Sequence, residues 1–512
     1  MRKRFGSILF RGAALALIAS AALATVPVVL TQSKISDEKG NFDGAIDPED
    51  IFGWSVAGLG DLDGNGTVEV AVGAPGDDDG DTDDGAVWIL SLNTEGRVTR
   101  DQKISDTSGN FGGTLDFGDE FGKSVTVIGD LNEDGVPDLA VGAPYTNDAF
   151  DNAGAVWILF MNRDGTVEDQ QKISRAAGDF DGDIGPSDLF GYSVAGLGDL
   201  NGDGIPDLAV GAPYDDDGNI DKGAVYILFL RKDGTVKSYQ KISTQSGQFG
   251  GTLKEGDTFG NSLAALGDVD GDGIMDLAVG APQSDDGDGT NLGAVWILFL
   301  ATNGKVNGQQ KISKVDGNLN EPLDGGDLFG WGVAALGDID RNGVPDLGAG
   351  APMDDDGQDY DKGAVYLITL LDDGTVKASQ KISETQGGFT GNFAPNDSFG
   401  TSLAAIGDLD ENGVGDLLVG APLDNDGGGN NTGAAWVLFM TGGPPACGDA
   451  DSSGSISSTD ALLTLRAAVG LEICELCVCD VDETGTVSAP DAQRLLNAAV
   501  GIPVDLTCPF CQ

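Results

Sequence analysis

The 512-residue sequence contains no histidine and few basic residues. The absence of histidine excludes Ser-His-Asp and Cys-His nucleophilic sites, histidine zinc sites and histidine general bases. Lysine and arginine number 28 against 83 aspartate and glutamate, which gives a formal net charge of −55. A protein of that charge repels phosphates, so electrostatic binding of nucleic acid is also excluded. The abundance of aspartate instead suggests loops that bind hard cations through oxygen atoms.

Long apolar segments are scarce, and the clearest one lies near the N-terminus. The basic residues Arg2, Lys3 and Arg4 precede the apolar run Gly12–Ala24, which is short for a membrane span. Small residues at Ala22 and Ala24 suit cleavage by a signal peptidase. We therefore expect residues 1–24 to be a signal peptide. The mature chain would then have no membrane span and would be secreted to the extracellular space or the cell surface.

A Phe-Gly pair recurs six times, with spacings of 69 or 70 residues. The phenylalanines are Phe52, Phe121, Phe190, Phe259, Phe329 and Phe399. Each unit continues with an acidic segment, a Gly-Ala-Pro turn and an apolar segment such as Gly-Ala-Val-Trp-Ile-Leu. Five of the units then close with Gln-Lys-Ile-Ser. Such a period indicates a repeat architecture.

Each unit contains four short β-prone segments and no helical periodicity. In unit three these are Ser193–Leu197, Leu208–Ala212, Ala224–Leu230 and Val236–Ser243. Four antiparallel strands per unit predict an all-β propeller. A linear solenoid is the alternative, but its terminal units should look atypical. The early segment Lys34-Ile35-Ser36 can supply the fourth strand that the last unit lacks, which would close the ring.

The units over residues 34–443 resemble the FG-GAP repeats of the integrin α-subunit propeller. Phe-Gly, the aspartate-rich loop and Gly-Ala-Pro carry the resemblance, because they recur in a fixed order. The resemblance implies a β-propeller with extracellular ligand recognition. Integrin propellers have seven blades and metal loops in only some of them, whereas this sequence has six units, each with a loop. We predict six blades, with seven as the alternative.

The acidic segments predict calcium sites. Oxygen atoms at positions one, three, five and nine, with a backbone carbonyl at position seven, can surround one ion, and glycine at position six permits the turn. The candidate ligands are Asp61, Asp63, Asn65, Thr67 and Glu69; Asp130, Asn132, Asp134, Val136 and Asp138; Asp199, Asn201, Asp203, Ile205 and Asp207; Asp268, Asp270, Asp272, Ile274 and Asp276; Asp338, Asp340, Asn342, Val344 and Asp346; and Asp408, Asp410, Asn412, Val414 and Asp416. Each segment would join the first two strands of a blade, so we expect six calcium ions with a structural role.

Ligand contact is expected on the propeller face opposite these loops, where the connections are longer and more varied. The residue after Phe-Gly is aromatic in units one, three and five, as Trp54, Tyr192 and Trp331. One interpretation is a packing residue left by duplication of a two-unit ancestor. The other is a ring of aromatics near the channel mouth that stacks on sugar rings or other flat ligands. The aromatics found in every unit are predicted to be core: Trp88, Trp157, Tyr226, Trp296, Tyr366 and Trp436.

The C-terminal segment, residues 447–512, has a different composition and contains two loop-helix sequences. Both loops match a twelve-residue, EF-hand-like calcium loop that ends in aspartate. Their candidate ligands are Asp449, Asp451, Ser453, Ser455 and Asp460, and Asp480, Asp482, Thr484, Thr486 and Asp491. The segment resembles a type I dockerin, which implies docking to a cohesin-type partner. In that family the two residues before the last loop aspartate help to choose the partner. Ser458 and Thr459 match that pattern, whereas Ala489 and Pro490 do not. A calcium-stabilised domain that binds no cohesin is the alternative.

All the cysteines lie in this segment, as Cys447, Cys474, Cys477, Cys479, Cys508 and Cys511. In an exported module they predict up to three disulfides, with the pairing left open. The alternative is a zinc site formed by Cys474, Cys477, Cys508 and Cys511, whose spacing is admissible.

The sequence as a whole predicts an extracellular calcium-binding recognition or adhesion protein. Its propeller would bind a glycan or an extracellular protein, and its tail would dock to a cohesin-type scaffold or to a surface partner. An enzyme acting on polysaccharide is one alternative, because a carboxylate pair needs no histidine. A structural matrix or coat protein is the other. We predict no enzymatic activity, because no carboxylate pair stands out as unique to one blade.

Overall fold

The computed structural model describes residues 26–217, 220–286, 289–355, 361–425, 430–442, 458–468, 479, 481 and 487–499. The predicted signal peptide therefore lies outside the described residues, as does most of the C-terminal segment. Within the described ranges the chain forms 24 strands and two helices. The strands are β1 Val28–Ile35, β2 Ser55–Gly60, β3 Val68–Ala74, β4 Ala86–Leu92, β5 Val98–Ile104, β6 Ser124–Gly129, β7 Asp138–Ala143, β8 Ala155–Met161, β9 Val167–Ser174, β10 Ser193–Gly198, β11 Asp207–Ala212, β12 Ala224–Leu230, β13 Val236–Ile242, β14 Leu263–Gly267, β15 Asp276–Ala281, β16 Ala294–Leu300, β17 Val306–Ser313, β18 Val333–Gly337, β19 Asp346–Ala351, β20 Ala364–Leu370, β21 Val376–Ile382, β22 Ser402–Gly407, β23 Asp416–Ala421 and β24 Ala434–Thr441.

The strands form six antiparallel four-stranded sheets, which are the blades of a propeller. Blade 1 contains β2–β5, blade 2 β6–β9, blade 3 β10–β13, blade 4 β14–β17 and blade 5 β18–β21. Blade 6 contains β22–β24 and takes β1 as its outer strand, with Ile35 opposite Ala435. The predicted β-propeller, its six blades and the closing N-terminal strand are thus confirmed.

The core lies between successive blades, because the inner strands of each blade are buried on both faces. In blade 3 the predicted strands differ from the observed ones by at most one residue at each end. The outer strand β13 buries Val236 and Ile242 and leaves residues between them partly exposed. The aromatics predicted as core are all buried.

The Phe-Gly pairs join neighbouring blades. Each phenylalanine is fully buried. Phe190 forms a parallel bridge with Gly154 of the preceding repeat. Gly191 has a φ of 93°, and a Cβ there would lie 2.3 Å from the carbonyl oxygen of Ala155, so only glycine fits. Two residues later Ser193 donates a hydrogen bond to the carbonyl of Gly260 in the next repeat, at 2.7 Å.

The same serine contact recurs at four other blade junctions. We call these residues the serine ring: Ser55, Ser124, Ser193, Ser262 and Ser402. Blade 5 carries Gly332 at the equivalent position. The Phe-Gly signature is therefore an interblade junction, built from a buried ring, a left-handed glycine and a serine hydroxyl.

Two short helices are described in the C-terminal segment, α1 Ser458–Ala468 and α2 Ala489–Ala499, and they contact one another. Asp491 accepts hydrogen bonds from the backbone N–H and the hydroxyl of Ser488, at 2.8 and 2.6 Å, which caps the start of α2. Two helices do not by themselves support a helical calcium-loop domain, and most of both predicted loops lies outside the described residues. None of the described helices is long and apolar enough to cross a membrane.

Candidate metal loops and recognition face

The acidic loops and the turns between the third and fourth strands share one face of the propeller. Lys232, in such a turn of blade 3, pairs with Glu133 in the acidic loop of blade 2 at 2.5 Å. Arg163, in the turn of blade 2, donates to the carbonyls of Gly135 and Asp63, at 3.2 and 3.5 Å. We call this side the acidic-hairpin face.

The other two sets of connections meet on the opposite side. The connection between the second and third strands contacts the connection that leads to the next Phe-Gly. For example, the N–H groups of Gly118 and Glu120 donate to the carbonyls of Thr82 and Asp83, both at 3.1 Å. We call this side the long-loop face.

The local sequence sets the shape of each acidic loop. In the loop of blade 5, the N–H of Asn342 donates to Oδ1 of Asp338 at 2.9 Å, and the N–H of Gly343 donates to Oδ2 at 2.8 Å. Asn342 in turn accepts the N–H of Val344 at 2.7 Å. Equivalent contacts to the position-one aspartate occur in the other loops. The chain therefore wraps around its first aspartate and directs oxygen atoms inwards.

The position-nine carboxylate is buried at the base of the loop. Oδ1 of Asp346 accepts the N–H of Leu370 on the third strand, and Oδ2 accepts the N–H of Ile339, both at 2.8 Å. Burial raises the pKa of Asp346 to about 8, although these N–H groups oppose the shift. Burial likewise raises the pKa of four equivalents to between about 6 and about 7: Asp138, Asp207, Asp276 and Asp416.

Four of the loops bring three carboxylates within 4.8 Å of one another. They are Asp61, Asp63 and Glu69; Asp268, Asp270 and Asp276; Asp338, Asp340 and Asp346; and Asp408, Asp410 and Asp416. In blades 2 and 3 position three is asparagine, Asn132 or Asn201, so an amide oxygen replaces one carboxylate. In blade 4, Oδ1 of Asp268 is buried without a hydrogen-bond partner among the described residues. These oxygen sets fit a divalent cation, and hard oxygen ligands suit calcium.

Basic side chains of the fourth strands approach three of the loops. Lys237 lies 2.8 Å from Asp203, and Lys377 lies 3.1 Å from Asp340. Arg100 lies 3.6 Å from Asp63. These contacts offset part of the negative charge of the three loops. Each of the three loops still contains carboxylates that form none of these contacts.

The aromatics predicted to bind ligand line one mouth of the central channel, together with the serine ring. The rings of Trp54 and Trp331 meet edge to face, with centroids 6.5 Å apart. The ammonium of Lys123 lies 3.6 Å from the ring centroid of Trp54 and 5.7 Å from that of Tyr192. Burial lowers the pKa of Lys123, and its ion pair with Glu120 at 2.7 Å opposes that shift. One of the two interpretations of the sequence places these aromatics together at the channel mouth. It did not predict that they contact one another and a buried lysine.

Sequence reasoning missed a buried aspartate two residues before each phenylalanine. The six are Asp50, Asp119, Asp188, Asp257, Asp327 and Asp397. Each accepts the backbone N–H of the residue three positions earlier, which fixes the turn into the Phe-Gly pair. The recurrence of this aspartate in all six repeats was the signal that could have identified it.

The predicted C-terminal site residues are described only in part. Asp491 forms the helix cap noted above, and its Oδ1 has no hydrogen-bond partner among the described residues. Cys479 is buried, and its Sγ accepts a hydrogen bond from Thr464 at 3.2 Å. The side chains of Ser458, Thr459 and Asp460, the remaining candidate ligands and the other cysteines lie outside the described residues. Those assignments stay predictions.

Comparison with known proteins identifies the repeats. The family model of the FG-GAP repeat matches residues 52–90, 121–159, 190–228, 259–298 and 399–438. The matched ranges do not include repeat five, in which Gly332, Gly348 and Ala349 stand where other repeats have serine, alanine or leucine, and valine.

Integrin α chains are similar to part of this chain. Integrin alpha-3 of Cricetulus griseus is 36% identical over 199 residues, which cover 38% of this chain and 17% of the relative. Integrin alpha-7 of Rattus norvegicus is 37% identical over 197 residues, covering 38% and 15%. Integrin alpha pat-2 of Caenorhabditis briggsae is 30% identical over 293 residues, covering 53% and 21%. Five segments of the chain therefore match the FG-GAP repeat, part of the chain is similar to integrin α chains, and the chain spans about a fifth or less of the length of these relatives.

Proposed function

We propose that this chain is an extracellular, calcium-binding recognition or adhesion protein whose propeller binds a protein ligand through the long-loop face. The observation that carries the proposal is the placement of exposed large apolar side chains on that face. Phe117 is 64% exposed, Ile220 64% and Val315 60%, and all three lie in long-loop connections. Phe150 and Met353 lie in equivalent loops and are 42% and 43% exposed. Exposed apolar groups rimmed by polar residues are typical of protein-binding surfaces.

The charge of the chain favours a basic partner. The same loops are rich in aspartate, and the formal net charge of −55 would attract a positively charged surface and repel an acidic one. A glycan ligand is the second candidate and would depend on Trp54, Tyr192 and Trp331. The rings of Trp54 and Trp331 already contact one another, so their stacking faces are partly used.

The remaining parts of the proposal rest on sequence. The N-terminal segment would direct secretion, and the C-terminal segment would dock to a cohesin-type or surface partner. Calcium in the acidic loops would stabilise the blades that carry the long-loop face. The proposal includes no catalytic activity, and release of reducing sugars from polysaccharide would contradict it.

A binding screen of the full chain tests this function. The chain would be presented to arrays of extracellular proteins and glycans in millimolar calcium, with a chelator control. We expect a calcium-dependent protein ligand whose affinity falls about tenfold, or about 1.4 kcal/mol, on combined Phe117→Ser and Ile220→Ser substitution.

Leu371→Ser is the matched control. Leu371 is 40% exposed but lies in a turn of the acidic-hairpin face, so this change should leave binding unaltered. Equal weakening by both variants would contradict the assignment of the long-loop face. Glycan binding that is lost in Trp54→Ala or Trp331→Ala would favour the second candidate instead.

A further inference from the structure

The junction between the two long-loop connections of a blade contains a basic side chain in several repeats. In blade 5, Lys362 forms an ion pair with Glu384. In blade 4, Lys314 donates to the carbonyl of Leu323 at 2.6 Å. In blade 2, Arg175 donates to the carbonyl of Gly182 at 2.7 Å. A cationic group is therefore a recurrent part of this junction.

Blade 1 places two carboxylates at the same junction. Asp84 and Asp106 occupy the positions of Lys362 and Glu384 in the repeat. The local geometry is also equivalent, because each acid accepts the backbone N–H of the residue nine positions later. Asp106 accepts the N–H of Leu115 at 3.2 Å. Glu384 accepts the N–H of Phe393 at 3.4 Å. An acid at the repeat position of Asp84 is unique to blade 1. Blades 2 to 6 have Ala153, Lys222, Leu292, Lys362 and Thr432 at that position.

Backbone N–H groups compensate the carboxylate of Asp84 only in part. Asp84 is 0% exposed; its Oδ2 accepts the N–H of Asp81 at 2.8 Å, but its Oδ1 has no hydrogen-bond partner among the described residues. The nearby Lys103 is already held by Asp77 and Asp79, at 2.6 and 2.9 Å. A buried carboxylate in this state is costly unless a cation or a proton neutralises it.

The two carboxylates face one small space. A Cβ placed on Gly80 would lie 2.4 Å from Oδ2 of Asp84 and 3.2 Å from Oδ2 of Asp106. The lack of a side chain on Gly80 leaves this space open. Leu323 of blade 4 occupies the position of Leu115 in the repeat, and its backbone carbonyl accepts a hydrogen bond from Lys314. A backbone oxygen at this position can therefore also face the junction.

We propose that Asp84 and Asp106 hold a divalent cation, calcium by the hardness of its ligands, at the long-loop junction of blade 1. The ion takes the place that the lysine ammonium occupies in blade 5. Backbone carbonyl and water oxygens complete its coordination. The site lies on the long-loop face, opposite the acidic-hairpin face, so it is additional to the six acidic loops. It would join the connection between β3 and β4 to the connection that leads to Phe121.

A catalytic carboxylate pair is a poorer explanation of the same residues. An acid or nucleophile that acts on a substrate must reach it, whereas Asp84 is fully buried and Asp106 is only partly exposed. A neutral, protonated Asp84 without metal is the other explanation, and the experiment separates it from the proposal.

Calcium stoichiometry of the full chain, measured by equilibrium dialysis at neutral pH, tests the proposal. The main variant combines Asp84→Lys and Asp106→Glu, which copies the ion pair of blade 5. We expect it to bind one calcium ion fewer per chain than the unaltered protein. We also expect it to melt at a higher temperature than the unaltered protein in chelator, because an ammonium then neutralises the junction. The hairpin loops are common to both proteins, so the difference does not depend on how many of them fill.

Asp84→Asn combined with Asp106→Asn provides a second variant that retains the shape of both side chains, in case the first variant fails to fold. Asp81→Asn is the matched control, since Asp81 is an exposed acid in the same loop and should leave the stoichiometry unchanged. An unchanged stoichiometry in a folded junction variant would overturn the proposal and assign Asp84 as a buried neutral acid.

Discussion

The buried aspartates before the Phe-Gly pairs show how one side chain can serve structure at the cost of a charge. Asp397 is 2% exposed, and its Oδ2 accepts the N–H of Ala394 at 2.7 Å. Burial and the neighbouring Asp424 carboxylate raise the pKa of Asp397 to about 7, while the Ala394 N–H and Lys34 oppose the shift. The turn into the Phe-Gly pair is therefore most favourable when this carboxyl is protonated.

The stability of the protein should consequently depend on the charge of Asp397. A pKa raised above the unfolded value of about 3.9 contributes stability that is fully present below that value and is lost as pH rises through about 7. Asn resembles the protonated acid, so we expect Asp397→Asn to show a flatter dependence of Tm on pH between 5 and 8. At pH 8 the variant should melt a few degrees above the unaltered protein.

The measurement is a series of thermal melts in saturating calcium across that pH range. Asp372→Asn is the control, because Asp372 is exposed and its replacement changes the formal charge by the same amount. If Asp397→Asn and Asp372→Asn gave the same pH profile, the buried carboxyl would not be the titrating group.

Residue-level prediction from sequence succeeded for the aromatics that recur in every repeat, although it missed the equally recurrent aspartates before the Phe-Gly pairs. The six core aromatics are buried because each repeat places them at the same point of an inner strand. The contact of Lys123 with Trp54 could not be predicted, since it joins two repeats across the channel mouth. Asp84 also escaped notice, because its significance depends on Lys362 occupying the same position in another blade.

At the scale of elements, the strands follow from the spacing of turn residues and apolar segments. The predicted segment Val236–Ser243 differs from β13 only by one residue. The pairing of β1 with β24 was also predictable, because Lys34-Ile35-Ser36 repeats a segment that the last unit lacks. The contacts between the long connections were not predictable, because the sequences of these connections vary and their backbone hydrogen bonds run from one loop to another.

Closure of the ring by β1 leads to a second prediction. Ile35 is fully buried and Val29 is 4% exposed, so β1 supplies core as well as backbone pairing to blade 6. Deletion of residues 26–36 leaves β24 as an unpaired edge and exposes the apolar side of the blade. We expect the deleted chain to lose its cooperative calcium-dependent melt, and a peptide of residues 26–36 added in excess to restore it.

The control is the same peptide with Ile35→Asp, which retains the backbone but places a charge at a fully buried position. That peptide should fail to restore the melt. A cooperative melt of the deleted chain without any peptide would show that five four-stranded blades and one three-stranded blade are sufficient for the closed ring.

At the scale of the whole molecule, the formal net charge of −55 and the acidic hairpins act together. Self-repulsion opposes the compact state of a highly charged chain. At a calcium concentration ten times the dissociation constant, each filled site adds about 1.4 kcal/mol, and six independent sites add about 8 kcal/mol. That approaches the ~5–15 kcal/mol that stabilises a typical domain, so cation binding would decide whether the propeller remains folded.

Removal of calcium should therefore lower the Tm of the full chain by tens of degrees, as measured by calorimetry in excess chelator. Sodium chloride added to the chelated protein should raise the Tm only in part, because salt screens repulsion over distance but does not occupy the loops. Sodium chloride should have a smaller effect on the calcium-loaded protein, whose loop carboxylates are already neutralised. An unchanged melt in chelator would contradict the structural role of the acidic hairpins. Full recovery by salt alone would reduce that role to a general charge effect, because the geometry of each loop would then be irrelevant to stability.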